Sequence, residues 1–247
     1  MRTLLIMCEV FHRELLAAVA ASEHQIDVRE LPKGLHDRGG KTMAAALQLE
    51  IDKADPAVHG QVVLGYALCN NGLIGLRAPG VPLVAMRAHD CIACLLGSRQ
   101  RYDQEFAAAP GTYWLSIGWQ ERGGANSVLT GPGTGVPRDE NPEYLRLLKK
   151  YGDENAAFLW SELQEQTRHY ERLAYIDTGI GPQAAAIADA QSKAADKGWR
   201  FERMLGDPAW LNTLVNGPWE GDDLFLVVPP GQSIAARYDG SLIGLAG

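Results

Sequence analysis

No apolar run in this 247-residue sequence approaches the ~18 residues that a membrane-crossing helix needs. Basic excess is missing too: 23 Lys and Arg face 30 Asp and Glu, and a formal charge of −7 argues against nucleic acid or an anionic membrane as partner. Walker loop, Gly-x-Ser-x-Gly elbow and His-Glu-x-x-His are all absent, which removes the commonest signatures of phosphate-loop, serine-hydrolase and zinc-protease chemistry. There is no short repeat and no low-complexity tract. The first residues, Met-Arg-Thr-Leu-Leu-Ile-Met-Cys-Glu-Val, soon reach His12, Arg13 and Glu14 without a small-residue cleavage site, so they read as a first strand and not a signal peptide. What is present is ordinary globular composition, 46% hydrophobic and 21% charged, in a chain long enough to bury a core. The expectation is a cytoplasmic protein.

Strand and helix alternate along the N-terminal half. Strands are predicted at 3–8, 26–31, 62–68, 82–86 and 112–117, with helices at 11–21, 43–53 and 91–106 between them. That alternation implies right-handed crossovers and an α/β fold with a mostly parallel, doubly wound sheet. A Gly/Pro-rich stretch with Gly123, Gly124, Gly131, Pro132, Gly133, Gly135 and Pro137 follows, then a helical hairpin pattern. Strand–helix alternation resumes with strands at 173–176, 199–205 and 224–228 and a closing segment at 234–245. The predicted organisation is an N-terminal α/β lobe (1–120), a loop (121–141), a helical insertion (142–172) and a C-terminal α/β lobe (173–247), the lobes being Rossmann-like.

Four cysteines stand out: Cys8, Cys69, Cys91 and Cys94. Cys8 ends the first predicted strand, Cys69 the third, and Cys91 lies just past the fourth. Open parallel sheets bind ligands beyond the carboxyl ends of their strands. In the strand order 2-1-3-4-5 the first, third and fourth strands are neighbours, and at ~4.8 Å per strand their tips lie within about 10 Å. Three thiols could therefore meet around one ion, as in tetrahedral zinc with an open position or three corners of an iron–sulfur cluster. His89 is a further candidate ligand or general base. The competing reading is that these cysteines simply fill core space. Cys91 and Cys94 also form a Cys-x-x-Cys at a helix start, which leaves thiol redox chemistry open.

Polar residues surround the cysteines. Asn70, Asn71 and Gly72 follow Cys69, where side chains and backbone N–H groups suit substrate binding. Asp90 suits either catalysis beside His89 or capping of the next helix. Farther on, Asp177, Thr178 and Gly179 follow a strand and open a helix, so their backbone could cradle an anion or form a plain turn.

Gly-Tyr-Ala-Leu-Cys-Asn-Asn-Gly at 65–72, Arg-Ala-His-Asp-Cys-Ile at 87–92, Leu-Leu-Gly-Ser at 95–98 and Pro-Gly-Thr-Tyr-Trp with Gly-Trp at 110–119 resemble the domain-of-unknown-function 1638 family. Cys8-Glu9 fits the start of that pattern, whereas Cys94 departs from it, which makes Cys94 the weakest ligand candidate. The resemblance implies a link to corrinoid-dependent methyl transfer: methylamine-type methyltransferases, cobalamin-dependent methionine synthesis or their reactivation proteins. A corrinoid protein or methyltransferase would then be the partner. Zinc held by thiolates would activate a thiol substrate, and an iron–sulfur cluster would supply a low-potential electron to cobalt. Two other readings stand beside it: a metal-free protein that docks a small anion or a partner in the strand-tip crevice, and a thiol oxidoreductase using Cys91 and Cys94.

Overall fold

A computed structural model describes residues 1–122 and 127–247. Gly123 and Gly124 of the predicted loop lie outside the described residues. The chain forms two units, one from 1–103 with 206–247 and the other from 104–205.

The first unit begins β1 (Arg2–Cys8), α1 (His12–Ala21), β2 (Ile26–Leu31), α2 (Gly40–Ile51), β3 (His59–Gly65), β4 (Leu83–Met86), α3 (Cys91–Leu96) and α4 (Arg99–Ala108), the last crossing the unit boundary. Leu4 to Met7 of β1 are buried, as a strand covered on both faces of a parallel sheet requires. Each such aliphatic side chain contributes about 2 kcal/mol of transfer free energy. Met43 and Leu47 of α2 and Leu15 of α1 are also fully buried. Asp90 caps α3, its side chain accepting hydrogen bonds from the N–H groups of Ile92 and Ala93 at 3.0 and 3.2 Å. The predicted 91–106 helix is two helices, because Gly97 turns left-handed at φ 76° and a Cβ there would meet Asp207 at 2.5 Å.

The second unit holds β5 (Thr112–Ser116), α5 (Ile117–Glu121), α6 (Ser127–Thr130), α7 (Pro142–Tyr151), α8 (Asp153–Thr167), β6 (Arg172–Asp177), α9 (Gln183–Lys197) and β7 (Arg200–Leu205). Its three strands are parallel in the order β5-β6-β7. Leu115, Leu173 and Tyr175 form its core with Ala190 and Ala194 of α9. The buried Arg172 guanidinium donates to Thr112 Oγ1 at 2.7 Å and reaches Glu105 and Glu202 at 3.1 and 3.0 Å. Asn141 caps α7 with Pro142 in its first turn, and the α7–α8 hairpin packs Tyr144 edge-on to Trp160.

The chain then returns to the first unit with α10 (Ala209–Asn216), β8 (Phe225–Val228), β9 (Ile234–Ala236) and β10 (Ile243–Leu245). The first sheet has the order β2-β1-β3-β4-β8, parallel except for β8, which runs antiparallel against β4. Sequence reading expected strand 112–117 in this sheet and all of 173–247 in a second lobe. Instead β5 pairs with β6, and β8 closes the first sheet. A four-residue apolar strand carries no mark of which sheet it joins. Among the described residues no helix is long and apolar enough to cross a membrane.

Candidate functional site

The order β2-β1-β3-β4 sets the carboxyl ends of β1, β3 and β4 side by side, with Met7 opposite Gly65 and Leu64 opposite Ala85. Beyond those ends, the Leu68 and Cys69 N–H groups donate to the carbonyls of Ala88 and His89 at 2.9 and 3.1 Å. The segments carrying Cys69 and Cys91 are thereby stitched together past the last strand residues.

Cys8 and Cys91 are buried and Cys69 is half-buried, all as free thiols. Burial pushes the Cys8 thiol up to about 11, with the charge of Glu9 acting the same way. Cys69 is pushed up to about 12, by burial and then by the charges of Cys8 and Asp90. Lys33, which opens the short helical turn 33–38 after β2, is driven down by burial, while the charges of Asp37, Cys8, Cys91 and Glu9 hold it up. The half-buried Lys33 ammonium is therefore within electrostatic reach of Asp37 and Glu9 as well as of the Cys8 and Cys91 thiols. Glu9 Oε2 accepts the Lys33 N–H at 3.1 Å, which fastens the β2 end to the β1 end.

Tyr66 follows β3, and its hydroxyl is buried with no hydrogen-bond partner of good geometry among the described residues. Burial, then the charges of Cys8 and Cys69, raise its ionisation well above the usual phenol range. Tyr102 faces Asp90 and Cys91 and is raised by burial first.

The backbone at the β3 tip is strained. Cys69, Asn70 and Asn71 have φ of 33°, 54° and 61°, three consecutive non-glycine residues in the left-handed region. Each such residue costs about 1–2 kcal/mol, less for asparagine, so packing must enforce the turn. Gly40 supplies part of that packing: a Cβ there would sit 2.1 Å from the Asn70 carbonyl oxygen. Asn70 Nδ2 donates to the His36 carbonyl at 3.1 Å, and Gly72 lies against Met43, whose Sδ would be 2.4 Å from an added Cβ.

The other candidates fall differently. His89 is exposed, with Nδ1 3.5 Å from Asp90 Oδ2. Asp90 is committed to capping α3. Cys94 is fully buried on that helix, its thiol directed at the Asp90 carbonyl (3.6 Å) and Met86 Sδ (3.8 Å). Burial, then the charges of Cys91 and Cys69, raise it well above the ordinary thiol range. Asp177, Thr178 and Gly179 belong to the other unit. The buried Asp177 carboxylate there accepts the Gly179 N–H at 2.9 Å and pairs with Arg203 at 2.5 Å.

Among the described residues no three His, Cys, Asp or Glu side chains stand close enough, as placed, to hold a metal ion. Lys33 and Tyr66 escaped the sequence reading. The one available signal was that each, like the cysteines, closely follows a strand.

The fold and site define an α/β protein whose first sheet gathers thiols at the ends of three adjacent parallel strands. Over residues 31–215 the chain matches the family described as Protein of unknown function (DUF1638), and it belongs to that family. No curated protein and no solved structure matches it.

Proposed function

We propose that this protein is a thiolate-ligated metal protein serving corrinoid-dependent one-carbon transfer, with Cys8, Cys69 and Cys91 as ligands of a zinc ion or an iron–sulfur cluster. The observation that carries the reading is the strand order: β1, β3 and β4 are neighbours, and the Leu68 and Cys69 N–H groups bond the Ala88 and His89 carbonyls, so the segments bearing Cys8, Cys69 and Cys91 leave adjacent strands at one end of the sheet. Metal-free, Cys8 and Cys69 are held protonated by burial first, with the charge of Glu9 acting on Cys8 and those of Cys8 and Asp90 on Cys69. A cation among them reverses both terms, because a coordinated thiol is deprotonated outright. Three thiolates around Zn²⁺, or around a four-iron cluster in its oxidised state, carry one net negative charge. Lys33 is placed to balance it.

The metal would supply either thiol activation or a low-potential electron. The chain's own residues supply the rest: Tyr66 holds its buried hydroxyl toward Cys8, Asn70 and Asn71 border the site on a left-handed turn, and His89 stands in solvent beside it for proton exchange. Cys94 is unsuited to redox cycling with Cys91, since it is sealed in the core and strongly protonated. The corrinoid element of the reading is supported by the family resemblance.

The test is metal and sulfide analysis with a visible spectrum, on protein purified without oxygen. Wild type is compared with Cys8→Ser, Cys69→Ser, Cys91→Ser and Cys94→Ser. Iron with sulfide and a brown absorbance, kept by Cys94→Ser and lost by the other three, identifies an electron-delivering protein. One zinc per chain with the same pattern identifies thiol activation, assayed next by methyl transfer from methylcobalamin to a thiol. A metal-free wild type, or metal retained by the first three variants, overturns the assignment.

A further inference from the structure

A second site lies in the first unit, at the same end of the sheet but on the far side of β4. A hollow of about 570 Å³ is lined by Arg87, Arg99 and Arg237, with Asp223 as its carboxylate and Leu226 and Ser241 in its walls. The arginines come from three separate stretches: the residue after β4, the start of α4, and the turn between β9 and β10.

Their partners are backbone carbonyls. Arg87 Nε donates to Phe225 O at 3.0 Å, and its Nη1 to Ser241 O at 3.3 Å and to Ile243 O. Arg99 donates to Gly240 O at 2.8 Å and Asp223 O at 3.5 Å. Arg237 donates to Ala236 O and Leu245 O at 3.4 and 2.5 Å and lies flat on Gly244, where a Cβ would be 2.7 Å from its Nε. Among the described residues none of the three is paired with a carboxylate. Asp239, the next acid nearby, accepts the Ser241 N–H at 2.9 Å and the Ser241 hydroxyl on Oδ1 and, with Asp223, offsets part of the arginines' charge.

Carbonyls orient a guanidinium without neutralising it. Three like charges are thus fixed around one concavity in a chain of net charge −7. Arg87 registers the cost: its ionisation is lowered by burial first and then by the charge of Arg99, with Arg237 adding to it and Asp223 and Asp239 opposing. An anion entering the hollow removes that repulsion and meets N–H donors already aimed by their carbonyl anchors.

We propose that this hollow binds a phosphate-bearing small molecule. One carboxylate is satisfied by one guanidinium fork, whereas a phosphate offers enough oxygens and charge for several. The volume lies within the range of small-molecule sites and exceeds what a single inorganic anion fills. This inference is independent of the thiol site.

The test is isothermal titration calorimetry at low salt with inorganic pyrophosphate, and with citrate as a carboxylate probe of comparable charge. Wild type should bind pyrophosphate, and bind it at least about tenfold more tightly than citrate. Arg99→Gln and Arg237→Gln should each weaken it about tenfold or more, while Arg77→Gln, an arginine elsewhere on the unit anchored to Gly231 O, leaves it unchanged. Three results overturn the proposal: no binding by wild type up to about 10 mM pyrophosphate, citrate binding as tightly, or Arg77→Gln weakening binding as much as the others. The comparison of the two probes on wild type stands even if a variant fails to fold.

Discussion

Replacing Gly40 by alanine tests whether packing enforces the left-handed turn at Cys69. The added Cβ would lie 2.1 Å from Asn70 O, 3.2 Å from Asn70 C and 3.3 Å from Asn71 C. These are main-chain atoms and cannot swing aside, so relief takes a backbone displacement of about 1 Å. Overpacking of this kind costs about 3 kcal/mol. Gly39→Ala is the matched control: its φ is 85°, so alanine is strained there, but nothing lies within 4 Å of the new Cβ. At ψ 154° this is backbone essentially confined to glycine, and that strain alone costs about 1–3 kcal/mol. Urea denaturation should therefore rank the proteins wild type, Gly39→Ala, Gly40→Ala in falling stability. The shifted turn should also make Cys69 react faster with a thiol reagent in Gly40→Ala than in Gly39→Ala. Equal stability of the two variants would refute the close-approach argument, and unchanged Cys69 reactivity would show that the turn does not depend on it.

Three further outcomes are expected. In metal-free protein the raised pKa values of Cys8 (about 11) and Cys69 (about 12) mean that the unfolded chain loses these protons first, so their contribution to stability is complete below pH about 9 and lost as pH rises to about 12. Urea midpoints from pH 8 to 11 should fall for wild type and flatten in Cys8→Ala/Cys69→Ala. Asp27 is held down at about 2, chiefly by its hydrogen bond from Arg2, so its contribution is present above pH about 4 and disappears as pH falls through 2. Wild type and Asp27→Asn should accordingly converge in stability over that range. Arg203→Ala leaves the buried Asp177 carboxylate without its cation, and a loss of about 2 kcal/mol should appear by denaturation, with partial recovery in Arg203→Ala/Asp177→Asn.

Much of the first sheet was legible because β1, β3 and β4 are short apolar runs flanked by breakers, and periodicity is a local signal. From strand order alone the sequence placed Cys8, Cys69 and Cys91 past the ends of adjacent strands. It misassigned 112–117 and 224–228 to their sheets because pairing is decided by tertiary packing, which four or five apolar residues do not encode. Lys33 joins the thiols only because β2 lies beside β1. The arginine hollow was invisible for a related reason: Arg87 meets Phe225 138 residues later in the chain. Cys94 stood apart from the other three cysteines in sequence as the weakest ligand candidate, and one helical turn carries it from the crevice into the core.

The antiparallel β8 has a consequence for synthesis. Residues 225–228 leave the ribosome only after the whole of the second unit, so the first sheet waits with β4 as its outermost strand. That strand, Leu83–Met86, is buried throughout its length in the finished protein. Until β8 arrives it is a short, uncharged, apolar edge with open backbone donors and acceptors, the kind that recruits strands from other chains. The nascent chain is thus most aggregation-prone just before β8 emerges, and a ribosome stalled between codons 205 and 225 should yield a product that depends on chaperones.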